Sequence, residues 1–275
     1  MGFLMKSAIT ISLTPQARSG PFVFHEGLAN GAEIAAQLGF DAIEIFPPAA
    51  NAIDEAELQG LLDRHGLKVA AIGTGAGWVI HKWSLTHPDA AVRQRARDFI
   101  RAIIDVAASF DAPAILGSMQ GKVEGDVTRE QALAWLAEAL EDLGEHAAAH
   151  GQPFLFEFLN RYETNLFNRV APTVEFLRGL KTRGVKVLAD LFHMNIEEAD
   201  LAEAVIAGKD WIGHVHFADS NRQAIGAGHT KIEPIITALR EIGYTGYLSA
   251  EIFPLPDALT AAQRTIESFR LCTRP

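Results

Sequence analysis

Apolar positions along the chain come in two alternating textures. Short, nearly continuous apolar runs recur at Ala8–Leu13, Ala42–Phe46, Lys68–Ile72, Pro113–Leu116, Phe154–Phe158, Val185–Ala189, Ile212–Phe217 and Tyr247–Ile252. Runs of this kind predict strands covered on both faces, as in a parallel sheet flanked by helices. Between them lie longer stretches with helical spacing. Ala91–Ser109 sets Val92, Phe99, Ile103 and Val106 on one side and Arg93, Arg95, Arg97 and Arg101 on the other, and Gln131–His150 repeats the pattern with Leu133, Leu136, Leu140 and Leu143. Gly39, Gly66, Gly151 and Gly243 read as helix stops, each leading into the next strand.

Eight strand–helix units in 275 residues, about 34 residues each, predict a single (β/α)8 TIM barrel domain spanning 1–275. No linker, low-complexity segment or composition shift divides the chain. A doubly wound open sheet is the architectural alternative, and its nucleotide-binding version lacks the Gly-rich turn expected after the first strand. The segments after strands are long (Thr14–Glu26, Thr74–His87, Ser118–Val127, Leu159–Val170, Ala218–Thr230), whereas those after helices read as two or three residues. In a barrel this places the irregular chain on the C-terminal face, where active sites lie.

Composition narrows the function. Twenty-four Lys+Arg against 34 Asp+Glu give a net charge of −10, and the basic residues are scattered, so a nucleic-acid partner is not expected. The single cysteine, Cys272, excludes an intramolecular disulfide and fits a reducing cytoplasm. The Thr-Arg-Pro that follows it does not form a prenylation signal. Neither a secretory signal nor an apolar run long enough for a membrane span is expected. A homo-oligomer is compatible with all of this.

Four metal-compatible side chains interrupt apolar runs at the ends of four consecutive strands: Glu157, Asp190, His216 and Glu251. A charge at such a place is costly unless paired or bound to a cation. Period-2 alternation puts Leu155 with Glu157, Leu188 with Asp190, His214 with His216 and Ser249 with Glu251. If those faces point inward, the four converge at the barrel mouth. One such residue is ordinarily a helix cap or loop anchor; four at equivalent places predict a metal site. Three carboxylates and an imidazole suit Mn2+, Mg2+ or Co2+, and one cysteine excludes a Cys-rich zinc site.

The stretches Glu157-Phe-Leu-Asn-Arg-Tyr-Glu163-Thr, Ala189-Asp190-Leu-Phe-His193-Met-Asn-Ile-Glu-Glu and Gly213-His214-Val-His216, with Ser220-Asn221-Arg222 and Glu251, carry a family resemblance. Together they resemble the sugar isomerase/epimerase group of xylose-isomerase-like barrels, and most of all the ketose 3-epimerases of the tagatose, psicose and ribulose type. The resemblance is close over residues 157–251 and loose elsewhere. It implies that Glu157, Asp190, His216 and Glu251 bind one divalent ion and that Glu163, His193 and Arg222 hold the carbonyl end of a small sugar. It further implies 3-epimerisation of a free ketose. The N-terminal half, with Pro47-Pro48 and the loop carrying Trp78, His81 and Trp83, departs from the pattern.

That chemistry needs these residue types. Removing a weakly acidic C–H proton beside a carbonyl calls for a Lewis acid that stabilises the enediolate. Inverting the centre calls for an acid/base on each face, and Glu157 and Glu251 come from separated strands. His193 and Arg222 would donate to the developing oxyanion, with Glu163 orienting a hydroxyl or relaying a proton. His214 reads as a packed supporting residue beneath His216, and Glu44 as either a site-ordering group or an internal hydrogen-bond anchor. Glu197 and Glu198 read as first-turn charges of a helix capped by Asn195. Phe22, Phe24, Trp78 and Trp83 either wall the pocket or pack their loops, and His25, His81, His87 and His229 read as solvated. The rival functions are a lyase or hydratase acting on a 3-keto-sugar, a non-catalytic sugar-binding barrel, and a DNA-repair endonuclease. The last would need further zinc ligands and a basic groove.

Overall fold

A computed structural model describes residues 5–273. Residues 1–4 and 274–275 of the expected 1–275 unit, including Arg274 and Pro275 of the terminal tripeptide, lie outside the described residues. The first half runs β1 (Lys6–Ser12), α1 (Leu28–Leu38), β2 (Ala42–Phe46), α2 (Glu55–His65), β3 (Lys68–Gly73), α3 (Ala76–His81), α4 (Ala90–Ala108) and β4 (Ala114–Leu116). The second half runs α5 (Arg129–Ala149), β5 (Phe154–Glu157), α6 (Val170–Gly179), β6 (Val185–Asp190), α7 (Leu191–Glu197) and α8 (Leu201–Gly208). It ends with β7 (Ile212–His216), α9 (Ile232–Glu241), β8 (Tyr247–Ala250) and α10 (Ala258–Thr273).

The strands pair in chain order, all parallel, and β8 returns to β1 through registers such as Ala8↔Ser249. This is a closed (β/α)8 barrel, so the open-sheet alternative falls. Period-2 alternation divides each strand between two cores. On β5, Phe154 and Phe156 face the helices in the main core, while Leu155 joins Ala71, Ile115 and Leu188 inside the barrel. Burying a Phe of this kind stabilises the fold by about 2–3 kcal/mol. Alanines 8, 42 and 70 form a separate interior cluster.

The glycine helix stops hold: Gly39, Gly66, Gly151 and Gly243 all have positive φ, between 67° and 81°. Other expectations need correction. The buried stripe of α4 is Ala96, Ile100, Ile103, Ile104 and Ala107, with Val92, Phe99 and Val106 only half-buried beside it. Segments after helices reach five residues, as between α4 and β4. The Thr74–His87 loop contains the short helix α3. Asn195 caps nothing, because α7 starts directly from β6 and runs through it. Glu197 instead accepts from the Arg161 backbone and guanidinium, Glu198 accepts from the Val170 N–H, and Asp200 caps α8.

Candidate active site

The barrel's stagger sets the site. Asp190 on β6 is level with His216 on β7, and His216 is level with Ser249 on β8, so Glu251 emerges just beyond the last strand. Glu157 closes β5. The four side chains meet at one point: His216 Nδ1 lies 3.4 Å from Glu157 Oε1, 3.5 Å from Asp190 Oδ2 and 3.6 Å from Glu251 Oε2. One ligand atom from each falls within 4.8 Å of the others.

This donor set fits a divalent ion. Glu157 Oε1 and His216 Nδ1 are buried without a hydrogen-bond partner among the described residues, an expensive arrangement unless a cation completes it. Burial pushes the Glu157 carboxyl up to about 7 despite its contact with His216. Asp190 is also fully buried, yet the Arg222 guanidinium and the contact with His216 hold its carboxyl well below the usual range. The cluster therefore favours positive charge, and Arg222 already places Nη2 on Glu251 and 3.4 Å from Asp190 Oδ2.

The supporting groups orient the ligands. Glu44, from β2, has Oε1 3.1 Å from His216 Nε2 and Oε2 2.8 Å from His214 Nε2. Burial alone would raise the Glu44 carboxyl, but the two imidazoles hold it well below the usual carboxylate range. Despite its burial, Glu44 and the neighbouring carboxylates raise the His216 imidazole well above its ordinary value. An ionised Glu44 holds one proton on Nε2, so Nδ1 is the nitrogen turned to the carboxylates, where a bound cation would replace its proton. Of the two readings open for Glu44, the ordering and anchoring ones thus coincide.

His193 Nδ1 accepts from the Asn160 backbone N–H at 3.2 Å, with Asn160 Nδ2 at 2.8 Å, which places its proton on Nε2. Burial holds its pKa down to about 3. A neutral N–H donor results, buried and without a hydrogen-bond partner among the described residues, 3.6 Å from Asp190 Oδ2. Glu163 accepts from Asn160 Nδ2 at 2.8 Å and reaches within 4.0 Å of Arg222 Nη1. Arg222 lies over the Phe192 ring at 4.8 Å and has φ +56°, a left-handed conformation unusual for a side-chain-bearing residue.

Three contributors carried no recognised signal in the sequence. Asn160 sets the His193 tautomer. Asp219 accepts backbone N–H bonds from Ser220, Gly226, Gly228 and Thr230 and so shapes the loop bearing Arg222. Gly117 makes room for Glu157, since a Cβ there would sit 2.5 Å from Oε2.

Glu157, Glu163, His193, Arg222 and Glu251 line a cavity of about 260 Å3. Phe22 walls it, packed against the Phe46 ring at a tilt of 32° with ring centroids 4.3 Å apart. Phe24 packs in the core, Trp78 borders an adjoining cavity, and Trp83 stacks on His81. His87 accepts from the Asp89 N–H, so His81 and His87 both have partners their solvated reading lacked.

The family model described as the xylose isomerase-like TIM barrel matches residues 32–272. The chain belongs to this family. Within the xylose isomerase-like family its relatives include the D-psicose 3-epimerase of Agrobacterium fabrum, 32% identical over 86% of this chain and 80% of the relative. The L-ribulose 3-epimerase of Methylomonas sp. is 31% identical over 80% of this chain and 76% of that protein. The crystal structure of D-allulose 3-epimerase from Methylomonas sp. in complex with D-allulose superposes with a TM-score of 0.81 at 26% identity, covering 98% and 99% of the two chains.

Proposed function

We propose that the protein is a divalent-metal-dependent epimerase that inverts carbon 3 of a free ketose. The observation that carries this reading is the placement of two carboxylates, the buried Glu157 and the half-buried Glu251, at the two ends of a four-strand arc around one cavity. The similarity to D-psicose and L-ribulose 3-epimerases supports it.

Glu157, Asp190, His216 and Glu251 would hold the ion, of the Mn2+, Mg2+ or Co2+ type, with manganese our choice among them. When bound, the ion supplies a Lewis acid at the substrate's carbonyl end. The remaining work belongs to the chain. One of Glu157 and Glu251 removes the C3 proton from one face of the sugar, and the other returns a proton to the opposite face. His193 Nε2–H and Arg222 donate to the oxygen where negative charge develops. Glu163, held by Asn160, accepts from a neighbouring hydroxyl. Phe22 and Phe46 keep water from the reacting face. We further propose that the chain acts as one domain, in the cytoplasm, as its single cysteine suggests.

The test is an assay of the manganese-loaded protein on free ketohexoses and ketopentoses, with 3-keto-glycosides in parallel. The expected result is conversion of at least one free ketose to its C3 epimer. Release of an eliminated product from 3-keto-glycosides, with no free ketose converted, would replace this reading by the lyase one.

A further inference from the structure

A second group of metal-compatible side chains lies on the outside of the barrel. Helices α4 and α5 are tied across their solvated faces by a ladder whose rungs recur every four residues. Arg97 Nη1 reaches Glu138 Oε1 at 3.0 Å, and Arg101 Nη2 reaches Asp142 Oδ2 at 2.7 Å. The next rung reverses sign: Asp105 comes from α4, and His146 from α5 meets its Oδ1 with Nε2 at 2.6 Å. His150, the C-cap residue of α5, adds its own Nε2 at 3.4 Å from the same oxygen.

The third rung holds more than charge pairing requires. Each upper rung has one base and one acid, whereas here two imidazole nitrogens converge on one carboxylate oxygen from an i, i+4 pair, neighbours on a helix face. The three ligand atoms lie within 4.8 Å of one another. Around a tetrahedral ion with bonds of about 2.0–2.1 Å, ligand atoms sit about 3.3 Å apart. The observed 2.6 and 3.4 Å bracket that value, and the side chains are exposed enough to adjust. The ordinary alternative is that the histidines merely favour the negative end of the α5 dipole. That explains their place on the helix but not the aim of both Nε2 atoms at one oxygen on another helix.

We propose that Asp105, His146 and His150 form a second metal site, taking a borderline ion such as Zn2+ with its fourth position open to solvent. The site joins the C-terminal ends of α4 and α5 on the face away from the cavity, where side chains serve stability in this fold. Its effect is a clip: an ion bound only by the folded chain stabilises it.

Equilibrium dialysis of the full chain against Zn2+ tests the site independently of the epimerase reading. The wild type should take up two ions per chain. The double variant His146→Gln/His150→Gln should take one, Asp190→Ala should keep one, and all three changes together should leave none. Asp105→Asn, a separate change on α4, should weaken the surface ion at least about tenfold, as loss of a ligand requires. A zinc-dependent rise in melting temperature should persist in Asp190→Ala and vanish in the histidine double variant. Equal zinc uptake by wild type and the histidine variant would overturn the proposal, as would half-saturation only above about 1 mM, a weak affinity on the scale of binding free energies.

Discussion

Asp190 divides its carboxylate between two tasks. Oδ1 accepts the Phe192 N–H at 2.7 Å and caps α7, while Oδ2 turns to the cluster with His216. In the sequence these were competing readings. The cap is present, and Oδ2 is left turned to the cluster, because β6 passes into α7 with no intervening loop. Glu44 was less legible, since its partners His214 and His216 are 170 and 172 residues away. It offers a direct test. Glu44→Gln replaces two acceptor oxygens by one acceptor and one donor, so His214 and His216 can no longer both keep a proton on Nε2. Metal affinity measured by dialysis should fall about 10–100-fold, and unchanged affinity would remove Glu44 from the site. Gly117 was invisible in the sequence because its role is an absence of atoms. Gly117→Ala drives a Cβ to 2.5 Å from Glu157 Oε2, so turnover should fall about 100-fold, the effect of misplacing a reacting group by about 1 Å. Activity within twofold of wild type would show that Glu157 has freedom the packing does not suggest.

The segments after the strands were legible as functional territory but not in their internal order. Short-range apolar patterning shows where the chain leaves the sheet; it does not show which polar group will organise the loop. Thus α3 was read as loop, and Asn195 as a cap although Asp190 holds that position. In the 218–230 loop the organiser is Asp219, whose four backbone N–H donors outweigh the effect of burial and bring its pKa down from 3.8 to about 2. A folded-state pKa below the unfolded one means that Asp219 stabilises the fold fully above about pH 4 and loses this contribution as pH falls through about 2. Asp219→Asn should therefore cost about 2 kcal/mol near neutrality, or roughly 4–8 °C in melting temperature. The gap to wild type should narrow as pH falls from about 4 toward 2 in parallel thermal melts. A gap that stays constant over that range would contradict the charge-assisted role.

The closed barrel was legible because every strand obeys the same rule, apolar on both faces, and the glycine stops mark its units. What the sequence could not supply is the stagger that brings residues from β5 to β8 to one height. The site's charge joins this geometry to stability: the carboxyl groups of Glu157, Asp190 and Glu251 meet at one point, and the Arg222 guanidinium pairs with two of them. Stripping divalent ions should lower the melting temperature by about 5–10 °C relative to protein at a hundredfold excess of Mn2+ over its dissociation constant. Mn2+ should restore wild type but not Asp190→Ala, and an unchanged melt after verified removal would argue against the ligand set. The most direct test of the two-carboxylate chemistry is the reaction run in D2O. Two bases on opposite faces require the C3 hydrogen to come from a group in exchange with water, so the epimer formed by wild type should carry deuterium at C3. Glu251→Gln, with metal content checked in the same sample, should lose at least about 100-fold in interconversion, yet still exchange the C3 hydrogen of one epimer. An epimer formed without solvent deuterium, and a variant that exchanges neither epimer, would contradict the assignment of Glu157 and Glu251.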